Sequence, residues 1–218
     1  MHPDFDLPSK GRVDGRTSSI TAAFFQAITP VIPPSDVEVE EALGVLEMAS
    51  GNCLCAYCGD PRTEWDHFRA IVKGRKPTGY ITEIANLVPA CGKCNHSKGN
   101  KNWKEWMLSA AARSPKQRGI SGLDERVARL EAYERWRQPV CIDYAAIVGP
   151  ERWSQYQALL DTAVAHLSEA QKVALELQTI INAGLVKQDI RSSASKSGAE
   201  LPPIIGGSRV NERTDDRT

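Results

Sequence analysis

Four cysteines and an Asp-His pair carry the chemistry legible in this sequence. Residues 64–68 read EWDHF, with Asp66 directly beside His67, and the stretch lies between CAYCG at 55–59 and CGKCNHSKGN at 91–100. Neighbours on an extended strand point to opposite faces, so a carboxylate and an imidazole placed side by side serve different contacts. Cys55 and Cys58, then after a gap of 32 residues Cys91 and Cys94, form two C-x2-C turns. Such a turn supplies two thiolates from one tight loop, and two turns complete the tetrahedral shell of zinc. Gly59 follows the first pair and Gly92 sits within the second, as tight turns favour. Four thiolates leave no open coordination position, so the Zn²⁺ expected here is structural. Cys53 and Cys141 fall outside the frame and read as small buried residues. A redox role fits poorly, because there are two pairs and no thioredoxin-like context.

If a metal holds Cys58 near Cys91, then Asp66, His67, Asn86 and Asn95 can share one small platform although they span thirty residues. Short aromatic and β-branched runs (TEWDHF, IVKG, EIANLVP) separated by Gly and Pro predict a hairpin with a long basic loop, KGRKPTGY. A helix follows, with Trp103, Trp106 and Met107 as core. The site is therefore expected on strand, loop, strand, helix. Around it, ITAAFFQAI predicts a short helix, and SDVEVEEALGVLEMASG predicts one from about 36 to 49. Ser121 reads as the N-cap of a helix over 121–138. The longest helical pattern runs over 150–184, with Trp153, Tyr156, Leu160, Val164 and Leu167 on one stripe. This gives an N-terminal helical segment (1–50), a core (51–113), a C-terminal helical region (114–190) and a Ser/Gly/Pro-rich, charged tail (191–218) expected to be disordered.

The formal net charge of zero conceals an asymmetry. Residues 1–59 carry three Lys/Arg against eight Asp/Glu, residues 60–118 twelve against five, and residues 119–218 twelve against fourteen. A basic middle segment in a neutral chain is the pattern of a local polyanion site. No apolar run approaches the roughly 20 residues needed to cross a bilayer, and the start lacks the features of a signal peptide. A soluble, cytoplasmic protein with no membrane partner is the expectation.

Taken together, CAYCG, EWDHF, EIANLVPAC and CGKCNHSKG, with nine residues from Asn86 to Asn95, resemble the HNH, or ββα-metal, nuclease family. The resemblance covers about residues 53–107, a quarter of the chain. It implies an α+β fold: a zinc-stabilised ββα-metal core flanked by mainly helical segments. It further implies that Asp66 is a metal ligand, His67 the general base, Asn86 the residue orienting the loop that carries the base, and Asn95 the second metal ligand. His96 directly follows Asn95 and competes for that last role. A neutral imidazole can take a proton from water at pH 7, and a carboxylate with an amide oxygen suits a hard cation such as Mg²⁺ or Mn²⁺. Lys73, Arg75, Lys76, Lys98, Lys101 and His96 are candidate contacts to backbone phosphates. Glu64 reads as an exposed strand carboxylate rather than a partner of the site.

The expected activity is hydrolysis of phosphodiester bonds in double-stranded DNA. The residues flanking the core are numerous enough to read a target, which favours a site-specific, restriction-type enzyme over a nonspecific one; phage and homing nucleases stay open. A non-catalytic zinc-stabilised DNA-binding module is the alternative, and it has no need of Asp66, His67, Asn86 and Asn95 together. A palindromic target would call for a homodimer by symmetry, with the 150–184 helix as the candidate interface.

Overall fold

Ser35 starts the first well-marked element. Its hydroxyl accepts from the backbone N–H of Glu38, whose carboxylate accepts from the Ser35 N–H. This reciprocal cap satisfies donors that a helix start leaves open, and α2 (Asp36–Val45) follows. The helix stops four residues short of the expected end, because Glu47 turns into the left-handed region at φ 54°. Upstream, α1 (Thr17–Gln26) fulfils the short-helix expectation.

The structure is a computed structural model and describes residues 7–187; the tail expected at 191–218 lies outside the described residues. The fold is α+β. Strands β1 (Glu64–His67), β2 (Val72–Lys73), β3 (Lys76–Pro77) and β4 (Leu87–Ala90) precede α3 (Gly92–Lys98), α4 (Trp103–Met107), α5 (Leu123–Trp136), α6 (Tyr144–Val148) and α7 (Pro150–Lys187). β1 pairs antiparallel with β4 in the register Glu64 to Ala90, Trp65 to Pro89, Asp66 to Val88 and His67 to Leu87. Within the connection, β2 and β3 form a small hairpin whose tip, Gly74-Arg75, has positive φ at both positions. That is the geometry of the two-residue turns that match strand twist. The order strand, loop, strand, helix therefore holds.

The core lies under this unit. Trp103, Trp106 and Met107 are buried with Tyr57, Phe68, Val88, Leu130 and Tyr133. Phe68 stacks on Trp103 at 5.1 Å, and Tyr57 meets Trp106 edge-on at 5.2 Å. α5 contributes more than packing: the Tyr133 hydroxyl donates to the carbonyls of Ile84 and Leu87. It thereby pins the 3-10 turn Ile84–Asn86 that leads into β4. α5 begins after Gly122, which holds a left-handed conformation, so the expected Ser121 cap is not formed. Two further expectations fail: Cys141 is exposed and Cys53 only half-buried.

The chain divides into two compact units, residues 1–171 and 172–218, and all the candidate site residues belong to the first. The described part of the second is the end of α7, which exposes Val173, Leu175, Leu177, Ile180, Ile181 and Leu185. No helix among the described residues is long and apolar enough to cross a membrane.

Candidate active site

The metal knuckle follows from its backbone. Cys55 accepts from the Gly59 N–H at 2.8 Å, and Cys91 accepts from the N–H groups of Cys94 and Asn95 at 3.0 Å. Both are tight turns that project paired thiols. Gly59 has φ 81°, the left-handed backbone that favours glycine, and the Arg126 guanidinium packs against its bare Cα. The four sulfurs are buried and lie within 4.8 Å of one another, with Cys58 and Cys91 Sγ 3.7 Å apart. A tetrahedral ion with sulfur at about 2.3 Å requires an S–S edge of about 3.8 Å. The residues fit a structural metal. Hydrogen bonds from Cys58, then Cys94, push the Cys55 thiol down, while bonds to Cys55, then Cys58, push the Cys94 thiol up, so the four sulfurs share their charge as one set. Arg118 faces it, with Nη1 3.4 Å from Cys94 Sγ and Nη2 3.0 Å from Asp60. Sequence reasoning missed this arginine, which lies beyond the C-x2-C frame.

β1 ends at His67 and the chain bends at Phe68 and Arg69. Asp66, His67, Asn95 and His96 line one cleft of about 500 Å³, which also takes in Ser18 and Gln26 of α1. The opening juxtaposition is resolved by burial: Asp66 is 4% exposed, whereas His67 is half-buried. Tyr57 donates to Asp66 Oδ2 at 2.7 Å, and Lys98 Nζ lies 3.0 Å from Oδ2 and 3.2 Å from Oδ1. Burial pushes the Asp66 carboxyl up, opposed by Lys98. Burial, then the Asp66 charge, keeps the Tyr57 phenol far above its ordinary value and so a donor.

Lys98 is not the phosphate contact expected. It is fully buried, and its ammonium also donates to the carbonyls of His67 at 2.8 Å and Gly99 at 3.2 Å. The apolar stem runs through the core, and the three donors find internal acceptors.

His67 Nε2 lies 2.8 Å from Thr82 Oγ1. Thr82 is itself fixed from both sides, its N–H donating to Pro30 and its carbonyl accepting from Ile32. Nothing in the local sequence signals Thr82. Burial, then Lys98, lowers the His67 pKa. Asn86 is fully buried, accepts from the Arg69 N–H at 2.8 Å, and donates to the carbonyls of Arg69 and Ile81 at 3.0 Å. It clamps the chain immediately after His67.

Asn95 stands on α3 and donates from Nδ2 to Glu64 Oε2 at 3.0 Å. Glu64 is therefore not the exposed bystander expected, but half-buried and bonded to the site. Among the described residues nothing donates to Asn95 Oδ1. A carboxylate has about four lone-pair directions, and Tyr57 and Lys98 occupy three at Asp66. One carboxylate position and one amide oxygen remain on the same cleft, a hard-oxygen set suited to Mg²⁺ or Mn²⁺.

The other candidate phosphate contacts lie apart. Lys73, Arg75 and Lys76 are exposed on the β2–β3 hairpin and line none of this cleft, and Arg75 pairs with Asp161 at 2.6 Å. Lys101 is exposed, its ammonium on the Ser97 carbonyl at 2.8 Å. His96 is exposed at the cleft.

An antiparallel strand pair followed by a helix, with a buried carboxylate and a histidine on the first strand, is the arrangement expected of a ββα-metal core. Residues 55–101 match the family model for HNH endonuclease, and this segment is an HNH endonuclease domain. The CRISPR-associated endonuclease Cas9 of Corynebacterium diphtheriae is 37% identical over 90 residues, which cover 39% of this chain and 7% of that protein. The chain thus matches only a small part of that relative's length. No solved structure matches the chain.

Proposed function

We propose that this protein is a metal-dependent DNA endonuclease of the site-specific, restriction type. The observation that carries the reading is the meeting of Asp66, His67 and Asn95 on one cleft, with Asn86 bracing the chain after the base. In this reading Nε2 of His67 carries the proton and gives it to Thr82 Oγ1 at 2.8 Å, which leaves the Nδ1 lone pair as the base toward water. Burial keeps this imidazole neutral at pH 7. Asp66 and Asn95 hold the divalent ion, Mg²⁺ or Mn²⁺. When bound, it supplies neutralisation of charge on the phosphate and the departing 3′ oxygen. His67 takes the proton of the attacking water, and Lys98 keeps Asp66 oriented. Cys55, Cys58, Cys91 and Cys94 hold a structural Zn²⁺ that ties the start of β1 to α3. Support for a target-reading enzyme comes from the helices outside residues 55–101, among them α1, which contributes Ser18 and Gln26 to the cleft.

The test is incubation with a panel of plasmid and phage DNA, methylated and unmethylated, in Mg²⁺ or Mn²⁺, beside His67→Ala. Discrete fragments absent with the variant support the proposal, and a smear absent with the variant points to nonspecific cleavage. DNA binding without cleavage by the native protein sinks the enzymatic reading.

A further inference from the structure

An asparagine amide has two ends of nearly equal shape, and only one of them, the oxygen, can hold a cation. Left to itself, Asn95 could turn Nδ2 into the cleft. Its partner decides otherwise: Nδ2 donates to Glu64 Oε2 at 3.0 Å, a carboxylate oxygen in the place of an acceptor. Oδ1 is then the end turned away from Glu64, and Asn95 lines the cleft together with Asp66 and His67.

The surrounding backbone serves this contact. Glu64 lies two residues before Asp66, on the same face of β1, and is paired with Ala90, just ahead of α3. A Cβ at position 92 would approach Glu64 Oε1 to 3.0 Å, so Gly92 in the second cysteine turn gives the carboxylate room. The Gly92 N–H donates to Thr63 Oγ1 at 3.1 Å, joining the start of α3 to the residue before β1. His96, the next residue along the helix, is exposed and has no hydrogen bond among the described residues.

We infer that Glu64 is a positioning residue: by accepting from Nδ2 it orients the Asn95 amide so that Oδ1, and not His96, is presented to the divalent ion. The inference rests on the metal-dependent reading above. Partners of this kind are worth about 10–100-fold in metal affinity.

The experiment is Mn²⁺ titration of the zinc-loaded full chain, free of DNA, followed by calorimetry and by the paramagnetic resonance of free Mn²⁺, with zinc content and circular dichroism as folding controls. Glu64→Gln retains an oxygen that accepts from Nδ2 and is expected to bind within about threefold of native. Glu64→Ala is expected to lose at least about tenfold. Aspartate presents oxygen whichever way it turns, so adding Asn95→Asp to Glu64→Ala should restore binding. Native affinity in Glu64→Ala overturns the inference. So does equal loss in Glu64→Gln and Glu64→Ala, which would make the Glu64 charge itself the ligand, or a double variant no better than Glu64→Ala. A native protein that binds no Mn²⁺ overturns the metal-dependent reading along with it, whereas native binding with an indifferent Glu64→Ala removes this inference alone.

Discussion

Lys98 Nζ lies 3.0 Å from Asp66 Oδ2, with the lysine fully buried and the aspartate 4% exposed. The pair joins the last residue of α3 to the strand that carries His67, and the same ammonium holds the His67 carbonyl. Two charges taken from water require each other. Breaking such a pair from one side costs more than replacing both sides.

Lys98→Met should therefore destabilise the protein by about 3–5 kcal/mol, because it strands a buried carboxylate. Adding Asp66→Asn should recover most of the loss while leaving the protein inactive. Urea denaturation of the two single variants and the double variant measures this; strictly additive losses would contradict it.

Removal of the knuckle metal should unfold the first unit rather than only inactivate it, since apparent binding energies of four-thiolate zinc sites reach about 10 kcal/mol or more. One zinc per chain is expected by elemental analysis. A strong chelator, or Cys58→Ser, should abolish cooperative thermal unfolding. An unchanged melting temperature in either case would count against a structural metal at Cys55, Cys58, Cys91 and Cys94.

Thr82→Val keeps shape and removes the hydroxyl opposite His67 Nε2. Cleavage should fall by about 10²-fold, within the range of general base catalysis, with little change in stability because Thr82 stays fixed by its backbone bonds to Pro30 and Ile32. Single-turnover cleavage rates of Thr82→Val, His67→Ala and the double variant check it. The two changes should be non-additive if they act on one proton.

Glu38 offers a pH test away from the cleft. The backbone N–H of Ser35, then Arg137, hold its carboxyl down at about 2 against an ordinary value of 4.5. The folded value is depressed, so its contribution to stability is complete above about pH 4.5 and disappears as pH falls toward 2. Denaturation midpoints of native protein and Glu38→Gln should differ at pH 7 and converge between pH 4.5 and 2. A constant difference over that range would remove Glu38 from the account.

What the sequence determined by itself was the chemistry tied to residue type and short spacing. Two C-x2-C turns specify two pairs of convergent thiols because four residues of backbone close each turn. Asp66 and His67 announce themselves because few other side chains bind a hard cation or take a proton near neutral pH. The helix opening at SDVEVEE, and Trp103 with Trp106, were legible for the same reason, since helix starts and stripes are local. The remainder depended on which faces the tertiary packing brings together. Thr82 reaches His67 across 15 residues, Lys98 and Glu64 reach Asp66 and Asn95 across 32 and 31, and Arg118 reaches Cys94 across 24. A lysine in a basic segment reads as surface, because burial of its charge is favourable only where a carboxylate and two carbonyls are already fixed around it. β1, β4 and α3 create that place only when they pack.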